Sequence, residues 1–123
     1  MKLIFHFIIL FGLFSSCDTQ SYIYRKPVVG LVFDKIPLAD VSVVYDSLDV
    51  LSPQNIITNK KGWFILPKIE MDNYEDFKSY VKGINSIILI KKKGYILKKI
   101  NLKKYDTGKD TIRLGVIHLE KAN

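Results

Sequence analysis

The sequence predicts an all-β sandwich of about seven short strands with one short inserted helix, preceded by an N-terminal signal peptide. Three observations predict it. Apolar runs rich in β-branched residues recur at short spacing from residue 28 to residue 119. Clusters of Gly, Pro, Asn, Asp and Ser punctuate them. One stretch alone, residues 72–83, changes from strand spacing to helical spacing.

The elements follow in chain order. Lys2 precedes an apolar run from Leu3 to Phe14, and small Ser15 and Ser16 lead to Cys17. A basic start, a short apolar middle and small residues before a cut form the pattern of an export signal over residues 1–16. The run has about 12 residues against the roughly 20 that a bilayer core requires, which favours a cleaved leader over a transmembrane anchor. Leu13-Phe14-Ser15-Ser16-Cys17 resembles the lipobox of bacterial lipoproteins, with Phe14 where Leu is usual. The resemblance implies that Cys17 is the lipid attachment site and the new N-terminus; ordinary secretion with a stray thiol is the alternative. Two or three acyl chains on one residue anchor stably where a single chain is marginal. Residues 17–27 are then the acylated cysteine and a tether, and residues 28–120 the folded domain.

Val28-Val29-Gly30-Leu31-Val32-Phe33 is bounded by Pro27 and Asp34-Lys35 and reads as a strand. Residues 36–40 read as a connection, because Pro37 has no amide hydrogen for a ladder. Val41 to Tyr45 alternates as a half-buried strand, and residues 46–55 form a polar loop. Ile56-Ile57-Thr58 enters a tight turn at Asn59-Lys60-Lys61-Gly62, where Gly62 supplies positive φ, and Trp63-Phe64-Ile65-Leu66 leaves it. By alternation only one of Trp63 and Phe64 faces the core. Tyr74, Phe77 and Val81 stand at helical spacing behind an Asp72 or Asn73 cap, with Gly83 as the stop. Phe77 and Val81 are expected to pack this helix on the sandwich, leaving Tyr74 and Tyr80 exposed. Residues 86–91 and 95–102 read as a hairpin through Lys92-Lys93-Gly94. In the last strand, 111–120, Ile112 and Leu114 share a face that Ile117 and Leu119 resume after a one-residue slip, the mark of a bulge.

Composition narrows the chemistry. With 48% hydrophobic and 25% charged residues, 123 residues fit one globular domain. One cysteine excludes a disulfide framework and a thiol-rich metal site. His118, the one histidine after the leader, has no partners at metal-ligand spacing, so it reads as a surface or packing residue. Asp40, Asp46 and Asp49 would meet at one end of a sandwich but lack the calcium-loop pattern, so they read as solvated loop acids. No phosphate loop, nucleophile elbow or His-Glu-x-x-His is present. The expectation is no enzyme, no catalytic residue, no metal and no cofactor.

Gly30-Leu31-Val32-Phe33-Asp34, then Ile36 to Val43, then Thr58 to Leu66, then Lys93-Gly94-Tyr95 stand in the order seen in carboxypeptidase regulatory-like domains. Such domains are similar to transthyretin, with a seven-stranded prealbumin-like sandwich. The resemblance spans roughly residues 28–119, with a longer link at 67–86. It implies a non-catalytic accessory or binding module.

Seven lysines (Lys91, Lys92, Lys93, Lys98, Lys99, Lys103 and Lys104) precede the next acid, Asp106. They read either as protection of an exposed strand edge or as an anion-binding patch for lipid or glycan. Tyr22 and Tyr24 in the tether, with Tyr74, Phe77 and Tyr80, supply aromatics for a contact surface. The function expected is a membrane-anchored lipoprotein of the cell envelope, outside the cytoplasm, at the outer membrane of a Gram-negative bacterium. Its partners would be the membrane through Cys17 and an envelope protein, with no nucleic acid. The alternative is direct binding of anionic lipid or glycan by the lysine hairpin 91–104.

Overall fold

The computed structural model describes residues 21–47, 51–53 and 55–123; the leader, Cys17 and Asp49 lie outside the described residues. The described chain is a β-sandwich of two four-stranded sheets, accompanied by a two-stranded ribbon and a short helix. In chain order the elements are β1 (Tyr22–Arg25), β2 (Val28–Asp34), β3 (Ile36–Pro37), β4 (Ser42–Tyr45), β5 (Ile56–Ile57), β6 (Trp63–Leu66), β7 (Ile69–Met71), α1 (Tyr74–Val81), β8 (Ile87–Lys91), β9 (Lys98–Asn101), a 3-10 turn at Leu102–Lys104, and β10 (Ile112–His118).

The first sheet is organised around β2. The last strand, β10, runs parallel to it on one side, while β6 and β3 pair antiparallel with successive halves of its other side. Val28, Gly30 and Val32 face inward, and Val29, Leu31 and Phe33 face outward, as a period of two requires. Gly30 has no side chain because Phe64, its partner on β6, lies over it: a Cβ there would stand 2.8 Å from the Phe64 ring. The second sheet has the order β5-β4-β8-β9, antiparallel throughout. Val43, Tyr45, Ile88, Ile90 and Ile100 project from it into one core shared with Val28, Val32, Phe64, Leu66, Ile112 and Ile117.

Two local features work as the sequence predicts. The turn between β5 and β6 is held by Asn59, whose Oδ1 accepts from the amides of Lys61 at 2.9 Å and Trp63 at 3.0 Å. Gly62 closes it with φ +81°. In β10 the register shifts between Arg113 and Val116, with Gly115 at φ 69°, and this bulge returns Ile117 to the core after Leu114.

Other expectations give way. The stretch read as a tether to residue 27 is folded from Tyr22 on, because β1 pairs with β7 and buries Tyr24 and Arg25. The guanidinium of Arg25 lies 3.7 Å from the Tyr45 ring centroid and donates to Ser52 Oγ at 2.8 Å and to the Asn85 carbonyl at 3.1 Å. Strand β4 and two loops are thereby pinned to this strand. Pro37 does join a ladder, since β3 is an edge strand where a missing amide hydrogen is tolerated. The hairpin is wider than expected. Residues 95–97 leave β8 to pair with the C-terminal segment, through Ile96 N–H to Glu120 O at 2.8 Å, and β9 starts only at Lys98. Asn73 is the helix cap, accepting from the Asp76 amide at 3.0 Å. The helix packs against the β1–β7 ribbon instead of the sandwich; Phe77 is half-buried, and Val81 is exposed with Tyr74 and Tyr80.

Candidate functional site

The outer face of the first sheet departs most from what a solvated strand surface requires. An antiparallel sheet with one wet face alternates apolar and polar residues, but here β2 and β6 are apolar on both faces. Strand pairing places Ile65, Val29 and Arg113 in one row, Trp63, Leu31 and Val116 in the next, and Pro37, Phe33 and His118 in the third. Ile65 is 63% exposed, Val116 53% and Trp63 46%. None of the nine is acidic. Exposed Lys35, Lys60 and Lys61 lie in the turns that lead into β3 and β6 at the same end of the sheet. The His118 ring meets Phe33 edge-on with centroids 6.0 Å apart, a packing role on this face. An uncovered apolar sheet face with a basic border is a surface for association. The sequence signal for it is the missing alternation in Val-Val-Gly-Leu-Val-Phe and Trp-Phe-Ile-Leu.

The seven lysines do not form one patch. Lys98 occupies an inward register position on β9, opposite buried Ile90, and its Nζ donates to the His118 carbonyl at 3.0 Å, tying the two sheets together. Lys92 donates to the Ala39 carbonyl at 2.9 Å. Lys91 and Lys99 lie on the outer face of the second sheet, and Lys103 and Lys104 in the turn beyond the far end of β9. Lys91, Lys92 and Lys93 do meet Tyr95, Leu97 and Asp40 around a shallow depression of about 350 Å³. Because β9 is the outer strand of its sheet, its lysines also sit where edge protection is needed.

Two polar pairs flank the core. The Tyr95 hydroxyl donates to Asp34 Oδ2 at 2.8 Å. That hydrogen bond to a carboxylate, with partial burial and the Asp34 charge, holds the phenol above its ordinary pKa, since ionisation would set two anions in contact. Lys26 pairs with Asp106 at 2.9 Å, and this bond, with the Gly108 amide, holds Asp106 below the usual carboxylate range. A cavity of about 250 Å³ lies beside this pair, bordered by Tyr24, Arg25, Tyr45 and Leu102. Asp40 and Asp46 stand at opposite ends of β4 and do not meet. Among the described residues no group of three His, Cys, Asp or Glu is placed to hold a metal ion, and no helix is long and apolar enough to cross a membrane.

No protein-family model, curated protein or solved structure matches the chain.

Proposed function

We propose that this protein is a cell-envelope lipoprotein, anchored through Cys17, whose β-sandwich is a non-catalytic adapter that holds a protein partner on the outer face of its first sheet. The observation that carries the reading is the apolar row of Trp63, Leu31 and Val116 beside the row of Ile65, Val29 and Arg113, in which Arg113 is the basic member. The partner that complements it has an apolar patch bordered by carboxylates, because lysines and an arginine rim the face. The lipobox-like residues 13–17 and the resemblance to carboxypeptidase regulatory-like domains support the anchor and the accessory role.

A photo-crosslinking residue at Ile65 in intact cells tests this, with the same residue at Lys104 as the control position. One protein captured from position 65 and not from 104 is expected. Once purified, that protein should bind the wild-type chain and lose roughly tenfold or more in affinity for Ile65→Lys, the effect of removing one central anchor. Capture from the control alone, or unchanged affinity, overturns the reading. Capture only of a second copy of this chain replaces the adapter with a homo-oligomer. Direct binding of anionic lipid or glycan rests on the depression lined by Lys91, Lys92 and Lys93. It predicts salt-sensitive binding to anionic vesicles that Lys91→Glu with Lys93→Glu abolishes.

A further inference from the structure

We infer that the β1–β7 ribbon and α1 form the face that lies on the membrane, with their tyrosines in the lipid headgroup layer. This rests on the reading of Cys17 as the acylated anchor and adds which side of the molecule turns toward the bilayer.

The length of chain between anchor and fold carries the inference. The first described strand begins at Tyr22, so four residues separate it from Cys17 in the sequence. Fully extended, the steps from Cys17 to Tyr22 cover at most about 18 Å. Each headgroup layer occupies about 5–8 Å beside the hydrocarbon core. A lipid on Cys17 therefore holds β1 close to the headgroups, and the surface around β1 meets them first.

That surface is aromatic and partly exposed. The Tyr22 ring stacks on Phe77 with centroids 5.5 Å apart and meets Tyr74 at 5.2 Å. Tyr74, Phe77, Tyr80 and Val81 fall within about 120° of the helix circumference. Of these four, Phe77 alone is half-buried, and the helix has no buried residue. Tyr74 remains 51% exposed and Tyr80 43%. Tyrosine suits this boundary because its ring is apolar and its hydroxyl is wet. Between residues 68 and 82 there are three lysines and four carboxylates, so the contact depends little on anionic lipid or on salt.

The test uses the full acylated protein, purified from membranes and placed in phosphatidylcholine vesicles with brominated acyl chains. Trp63, on the outer face of the first sheet, is the reporter for that face in the wild-type chain. Trp63→Phe combined with Tyr80→Trp, or with Tyr74→Trp, moves the single reporter onto α1. The α1 reporters are expected to shift to the blue and lose most of their emission, unchanged by added salt, while wild-type Trp63 stays bright. Vesicle-bound, acylated protein with both α1 reporters unquenched overturns the placement alone. Trp63 quenched as strongly as the α1 reporters overturns it as well. Intact mass that shows no acyl group on Cys17 overturns the anchor and the placement together.

Discussion

Thr58 is almost fully buried and stitches a loop to the core with both its backbone and its side chain. Its Oγ1 donates to the Leu38 carbonyl at 2.6 Å and accepts from the Val41 amide at 3.0 Å. Thr58→Val keeps the shape and strips both partners, so stability should fall by about 1–3 kcal/mol in urea titration, with Thr58→Ser restoring most of it. Gly62 is constrained differently: besides its positive φ, a Cβ would stand 2.6 Å from the Val32 carbonyl oxygen. Gly62→Ala should therefore cost about 1–3 kcal/mol from the backbone conformation, with the contact adding to it. Tyr95 gives a pH-dependent prediction. Its folded pKa is raised, so its contribution is fully present below the ordinary tyrosine pKa of about 10 and is lost as pH rises through the folded value. Thermal melts from pH 8 upward should show an alkaline decline that is smaller in Tyr95→Phe. Gly62 and its turn were readable from Asn-Lys-Lys-Gly alone. Thr58 was not, because its partners lie 17 and 20 positions back and a threonine before a turn has no distinguishing local pattern.

Elements separate along the same line. The strands that carry the core announce themselves by β-branched runs, and α1 by its spacing and its Asn73 cap. The pairs that escape notice, β1 with β7 and β3 with β2, are two or three residues on their shorter side. Tyr22 pairs with Met71, far along the chain, so no local period marks the join. The slip in β10 was legible because inward residues resume out of phase after Gly115. The apolar outer face was written in β2 and β6 too, but a short run apolar on both faces reads equally as a strand buried on both sides, and only pairing shows that nothing covers it. At β9 the lysines make a prediction of their own. Lys99→Val should leave the circular dichroism spectrum unchanged and produce concentration-dependent association in sedimentation, because the edge strand loses its outward charge.

At the scale of the whole molecule, the first core strand and the last are neighbours. Ile112 pairs opposite Val28 and His118 opposite Phe33, in the one parallel pairing among the described strands. Strand β10 and its extension contribute Ile112, Leu114, Ile117 and Leu119 to the core. Burial of four aliphatic side chains contributes about 6–12 kcal/mol, comparable with the whole stability of a domain, about 5–15 kcal/mol. A chain ending at Asp110 should therefore show no cooperative melt and rapid proteolysis throughout. The parallel closure also acts as a clock. A strand made early must wait for one made last, and until that partner arrives Val28 to Phe33 has an open side. Under the export proposed above, this delay would keep the polypeptide threadable until β10 has crossed. The same delay makes the waiting segment the part of the chain most open to wrong pairing before β10 docks.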